Sequence, residues 1–204
     1  FQAVLRPDNL VILAYRDAGA PVLLYCKSLT PAVFGKLEQT YLAGAYRLDP
    51  YFGMHLNRVP DGAYRLRDSA PDAFHRSRYC IEYYAQTTLI DEIAFLAWPV
   101  AGVSVHLSLG RDAGSGLEFS RADIDLCQRL SPIVAALVRG HWRGIGKGEG
   151  PAEDTSAMLA AAARGRHGIV LSARQSEVAL LILRGHSTVS IGLKLGLSAQ
   201  TVKV

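Results

Sequence analysis

Between Val103 and Leu109 the chain reads VSVHLSL. Val103, Val105, Leu107 and Leu109 alternate with Ser104, His106 and Ser108, which is the period of two that a β-strand imposes on its faces. The stretch therefore commits the chain to a sheet with one buried face, and it predicts a polar opposite face. Just before it, Leu89 to Val100 (LIDEIAFLAWPV) is a second predicted strand, set off by Pro99-Val100-Ala101-Gly102. Near the start, Asn9 to Arg16 (NLVILAYR) and Pro21 to Lys27 (PVLLYCK) flank a short Asp17–Ala20 connection, a β-hairpin signal.

Helical patterns fill the remainder of the first 142 residues. Thr30-Pro31 and Asp49-Pro50 each open a predicted helix with proline in its first turn. The first would present Phe34, Leu37, Tyr41 and Leu42, and the second Tyr51, Met54 and His55. Tyr64 to Arg67 reads as a short strand, and Ser69 to Pro71 as a turn into a helix carrying Phe74, Arg78, Tyr79 and Glu82–Tyr84. After a loop at Arg111–Gly116, Ser120 caps a long helix reaching about His141 through Ile124, Leu126, Leu130, Ile133, Ala136 and Leu137. The order predicts an α+β domain over 1–142, an antiparallel sheet flanked by helices. In layout it resembles the GAF and PAS sensor folds; no motif separates the two.

Residues 143–170 read as a connector. Glycines at 144, 146, 148 and 150 and Pro151 mark a linker. Asp154 to Arg164 (DTSAMLAAAAR) is an alanine-rich helix capped by Asp154 or Thr155.

The last segment, 171–204, is LSARQSEVALLILRGHSTVSIGLKLGLSAQTVKV. Ser172 with Gln175 forms a capping box, Gly185 would end the first helix, and Thr188–Leu195 makes a second. Gly196 turns the chain and Ser198 caps a third helix from Ala199. Helix, short glycine-bearing turn, helix is a helix-turn-helix layout. Leu171, Arg174, Glu177, Val178, Gly185, Ser187, Ile191, Leu195, Leu197, Ser198, Thr201, Val202 and Lys203 stand in the spacing of the LuxR-type helix-turn-helix, which this segment resembles. The resemblance covers about the last sixth of the chain. It implies double-stranded DNA as partner, with Ser198 and Thr201 toward phosphates, Lys203 and Val204 toward base edges, and Ser187 as a further DNA-binding residue. It also implies a GAF- or PAS-like sensor domain ahead of the DNA-binding module.

Departures from the family are visible too. Thr188, Val189 and Ser190 replace a common Asn-Lys-Glu, removing a phosphate-contacting lysine, and Gln175 replaces a common glutamate. Gly192 replaces alanine, at a helix-propensity cost of about 1 kcal/mol. The chain ends at Val204, inside the expected recognition helix, so the module reads as truncated, and a start at Phe1 rather than Met reads as part of a longer protein.

Charge follows this division. Residues 1–138 hold 13 Lys/Arg against 14 Asp/Glu, whereas 139–204 hold 9 against 4. The basic surplus sits with the segment expected to meet phosphates. No apolar run approaches the roughly 18 residues of a membrane span, and Phe1–Pro7 lacks signal-peptide character, so a cytoplasmic protein without membrane contact is expected. Cys26, Cys80 and Cys127 are odd in number and far apart, which argues for buried free thiols rather than disulfides or zinc.

Signatures of catalysis are missing. The linker glycines match no dinucleotide fingerprint, Lys147 is followed by Gly148 rather than Ser or Thr, and Gly114-Ser115-Gly116 lacks the outer glycines of a nucleophile elbow. The histidines show no metal-ligand spacing. The expectation is no enzyme, no catalytic residue, no metal and no cofactor.

Two features suggest a ligand pocket. Tyr46, Tyr51, Phe52, Tyr64, Tyr79, Tyr83, Tyr84 and Trp98 concentrate mid-domain, where they are either core or the lining of a cavity between sheet and helices. Asp91 and Glu92 are adjacent on a strand and so point to opposite faces. They are either edge-strand charges in water, or one faces inward with a ligand amine or guanidinium as its partner. The candidate ligand-binding residues are Tyr51, Tyr64, Tyr79, Tyr83, Asp91 and Trp98. Together these features predict a homodimeric regulator that senses a small molecule, with the helix Ser120–His141 as its dimer seam. The alternatives are an interaction module without a ligand, or an enzyme fused to a DNA-binding tail.

Overall fold

The computed structural model describes residues 1, 3–17, 19–146 and 154–202. Its first part is built on one antiparallel sheet of five strands: β1 (Asn9–Arg16), β2 (Val22–Ser28), β3 (Gly62–Arg65), β4 (Leu89–Val100) and β5 (Val103–Asp112). Their spatial order is β2-β1-β5-β4-β3. The hairpin expected from the sequence forms, the two strands expected at 89–109 form a second, and β1 of the first pairs with β5 of the second along its whole length, Asn9 to Gly110 through Arg16 to Val103. The architecture is α+β.

One face of the sheet is a conventional hydrophobic core. Ile93, Phe95, Ala97, Val103, Val105, Leu107 and Leu109 meet Cys127, Val134, Ala135 and Val138 of the long helix α4 (Arg121–His141). Ser120 caps α4 in a reciprocal box with Asp123, so two of the orphan N–H groups of the first turn are satisfied.

The opposite face is polar, as expected, and it is also buried. Ser104, His106 and Ser108 are only 0%, 1% and 6% exposed. A second layer covers them, built from residues 31–56 and 66–86. It consists of α1 (Pro50–Leu56), α2 (Leu66–Ser69), α3 (Arg78–Glu82) and short 3₁₀ and π turns between them. The two longer helices expected here are therefore broken. A 3₁₀ turn at Pro31–Phe34 and a π turn at Leu37–Leu42 replace the first, and a 3₁₀ turn, α3 and another 3₁₀ turn replace the second. Breaking them lets Leu37, Tyr41, Tyr46, Phe52, Tyr79 and Tyr83 converge on Leu13 and Tyr15 of β1 as one aromatic cluster.

The same two-sided covering places β4 inside the sheet, so neither Asp91 nor Glu92 is an edge charge in water; they are 3% and 9% exposed. Of the cysteines only Cys127 is buried, while Cys80 is intermediate and Cys26 exposed. The linker glycines 148 and 150 and Pro151 lie outside the described residues.

The C-terminal part is helical. Asp154 caps α5 (Thr155–His167), accepting from the N–H groups of Ser156 and Ala157. Ser172 caps α6 (Ala173–Leu183) with the expected Gln175 box, and Ser187 caps α7 (Thr188–Leu195). Gly196 turns the chain at φ +64° into α8 (Ala199–Val202). Val178, Ile191 and Val202 form a small core of their own with Leu181, Leu195 and Leu197 around it. Gly192 has a steric reason to depart from alanine: a Cβ there would stand 2.7 Å from the carbonyl oxygen of Leu197. No helix among the described residues is long and apolar enough to cross a membrane.

Candidate functional site

Alternation along β1 puts Val11, Leu13 and Tyr15 on the covered face, and direct pairing aligns them with Ser108, His106 and Ser104 of β5. On β4 the same face carries Glu92, with Ala94 paired to Ser108. The overlying layer closes on these residues around a cavity of about 40 Å³. Tyr15, Tyr41, Tyr51, Tyr79, Tyr83, Asp49, Glu92 and Ser108 line it, with Val11, Leu13, Val33, Phe34, Leu37 and Leu89.

Asp49 is the N-cap of α1, and its Oδ1 accepts from the N–H of Tyr51 at 2.8 Å. Its Oδ2 accepts from the hydroxyls of Tyr41 at 2.5 Å and Tyr15 at 3.3 Å. Those two hydroxyls are also hydrogen-bonded to each other. Burial raises the Asp49 carboxyl to about 6, against the opposing effect of these donors. Glu92 is raised further, to about 8, first by burial and then by the charge of Asp49, with a hydrogen bond from Ser108 acting the other way. At neutral pH Glu92 is therefore mostly a neutral acid. Burial also pushes the hydroxyls of Tyr15, Tyr41, Tyr51 and Tyr79 well above the usual phenol range.

Beside the cavity lies a second buried polar group. His55 Nδ1 is 2.9 Å from Ser104 Oγ, which is 3.0 Å from His106 Nε2. Burial lowers His55 to about 4 and His106 well below the usual histidine range, so both rings are neutral. All three residues are enclosed, and the chain of contacts ties α1 to the sheet. Among the described residues no group of three or more His, Cys, Asp or Glu could hold a metal ion.

Of the residues singled out in the sequence, Tyr51, Tyr79 and Tyr83 share this cavity. The other three lie elsewhere. Asp91, on the opposite face of β4 from Glu92, is gripped by Arg65 through Nε at 2.9 Å and Nη2 at 2.7 Å, and accepts from Phe119 N at 2.9 Å. Tyr64 donates its hydroxyl to Pro60 O at 2.9 Å. Trp98 donates Nε1 to Val59 O at 2.8 Å and stacks on His55. Tyr15, Tyr41 and Asp49 were missed as lining residues, and Glu92 was the other alternative to Asp91 for an inward-facing carboxylate. For Tyr15 the signal was present, since Val11, Leu13 and Tyr15 alternate in NLVILAYR. Nothing local marks Tyr41, because its position depends on the π turn.

In the C-terminal helices, Ser187 Oγ accepts from Ser190 N at 3.2 Å, while the Ser187 N–H donates to Asp72 Oδ1 of the first domain at 3.1 Å. Ser198 Oγ accepts from Thr201 N at 3.1 Å, and both residues are exposed. Lys203 and Val204 lie outside the described residues. Gly185 seats the helices on the layer of residues 66–86: Ala73 N donates to its carbonyl at 3.0 Å, and at φ +88° a Cβ would come within 2.8 Å of Ser77 Cβ. Arg184 adds two donations to Arg47 O at 3.1 and 3.3 Å.

The domain is a five-stranded antiparallel sheet with a helix on one face and an aromatic-lined cavity on the other, and this fold has solved counterparts. The particular likeness is to the ligand-binding domain of VqsR from Pseudomonas aeruginosa, with a TM-score of 0.57 and 25% identity over 69% of this chain and 82% of that one. SdiA from Escherichia coli aligns over 97% of this chain and 74% of its own, with a TM-score of 0.47 and 14% identity. The chain matches no protein-family model and no curated protein.

Proposed function

We propose that this protein is a DNA-binding transcriptional regulator whose N-terminal domain senses a small molecule and controls promoter binding as a dimer. The observation that carries the sensing half is the small aromatic-lined cavity, with Asp49 and Glu92 in its wall, in a domain sharing its fold with the VqsR ligand-binding domain. The DNA half rests on α6, the Gly185–Ser187 turn, α7 and the Gly196 turn, which agree with a helix-turn-helix, and on the basic surplus of the same segment. Dimerisation is favoured by Ile133 and Leu137, which stand 59% and 68% exposed on α4, and by the two-fold symmetry of the operators such modules read.

The mechanism is linkage. Ligand favours one arrangement of the sensor layer, and residues of that layer hold the C-terminal helices through Asp72, Ala73 and Ser77. A change in their packing alters the fraction of molecules free to meet DNA. A gel shift with the intact protein tests the reading. Preference for a promoter fragment over random DNA at physiological salt, altered by ligand, is the expected result; equal affinity for both sequences overturns it.

A second reading, a dimerisation module without a ligand, is favoured by the small volume of the cavity. A thermal-shift screen of amines, amino acids, acyl-homoserine lactones and aromatic acids separates the two. A ligand at about a hundredfold excess over its dissociation constant adds about 2.7 kcal/mol to a sensor and nothing to such a module.

A further inference from the structure

We propose that the cavity takes a small organic cation, a short primary alkylammonium whose nitrogen lies between Glu92 and Asp49 and whose carbons rest on the tyrosine rings. The inference deepens the sensor reading and rests on it.

The walls have one electrostatic character. The ring centroids of Tyr41 and Tyr83 are 5.1 Å apart, and those of Tyr79 and Tyr83 are 5.5 Å apart, so these aromatics form a continuous wall. Aromatic faces carry partial negative charge and attract cations. Two carboxyl groups from different elements complete the wall, and none of its lining residues is a lysine, arginine or histidine. An anionic ligand would meet the Asp49 carboxylate and electron-rich faces there, with no cation to pair it.

Asp91 and Glu92 provide an internal comparison. They are consecutive on one strand and both buried, on opposite faces. Asp91 has a two-pronged arginine partner, as a buried carboxylate requires. Glu92 has the hydroxyl of Ser108 and the cavity, with no cation facing it among the described residues. What Arg65 supplies on one side of β4, a ligand would supply on the other. The volume limits its size: about 40 Å³ accommodates roughly three water-sized groups, hence a head group of three or four heavy atoms.

The test uses the whole chain and isothermal titration with n-propylammonium, propan-1-ol and propionate at matched ionic strength. The expected result is saturable binding of propylammonium alone. Glu92→Gln, checked for folding by circular dichroism, should weaken that binding about tenfold or more, since the cation displaces the Glu92 proton to solvent and pairs with a carboxylate, whereas glutamine offers only a neutral hydrogen bond. If propan-1-ol or propionate binds as well as propylammonium, or if a folded Glu92→Gln variant binds the amine unchanged, the cation assignment falls while the sensor reading stands. If the wild type binds none of the three, and no compound of the broader screen either, both fall. The comparison among the three probes needs no variant, so it decides the matter even if Glu92→Gln does not fold.

Discussion

Glu92 sits on an inner strand with Ser108 as its hydrogen-bond donor, and burial raises its carboxyl to about 8. An acid raised in the folded state holds its proton where the unfolded chain has lost it. Its stabilising contribution is complete below the unfolded value, near 4.5, and is lost as pH rises through about 8. Glu92→Gln should therefore match wild type in urea unfolding at pH 4.5. At pH 8.5 it should exceed it by an amount on the order of a few kcal/mol. Equal stabilities at both pH values would refute the burial of an unpaired acid. His55 works on the other limb. Lowered to about 4 from 6.5, it costs stability as pH falls through that window, because the unfolded chain then binds a proton the folded one refuses. His55→Asn should flatten the loss between pH 6.5 and 4, read from the same unfolding curves. Tyr41→Phe takes a hydroxyl from the Asp49 carboxylate and is expected to cost about 1–3 kcal/mol in thermal unfolding.

At the scale of elements, α4 has two tasks. Its inner side covers the sheet through Cys127, Val134, Ala135 and Val138. Its outer side carries Ile133 and Leu137 into solvent. Because those two contribute little to the core, changing both to glutamate should leave the unfolding midpoint nearly unchanged. If α4 is the dimer seam, light scattering on the eluting species should then give half the wild-type mass; an unchanged mass removes α4 from that role. The N-terminus of the same helix depends on its cap. Ser120→Ala removes the acceptor for the Asp123 N–H and should cost about 1 kcal/mol.

Across the whole molecule, the contact between the layer of residues 66–86 and the C-terminal helices is narrow and backbone-rich. Gly185 fits only because it has no Cβ and tolerates a positive φ. Gly185→Ala should lift the helices from the layer at Ala73 and Ser77 without unfolding either part. Hydrogen exchange would show this as faster exchange at the amides of Ala73 and Ser187, with strands β4 and β5 unchanged. Protection retained at both amides would mean that the docking tolerates a methyl group there.

Much of this chain was legible locally. Period-two alternation marked β5, apolar runs marked β1 and β4, and a proline or serine marked the starts of α1, α4 and α6, because strand faces and helix caps are set by residues a few positions apart. The broken helices between 31 and 86 were not legible, since their apolar residues satisfy helical spacing and only the shape of the sheet beneath breaks them. Nor was the burial of Ser104, His106 and Ser108, which read only as a polar face. A strand's pattern states which residues share a face, whereas the layer laid over that face decides whether it is wet. The cavity follows from the same limit: Tyr15, Tyr41, Asp49 and Glu92 come from four separate segments, and only the tertiary fold brings them together. The sequence by itself determined the strands, the caps and the division of charge; burial and the partners of buried groups were decided by chain segments distant in sequence.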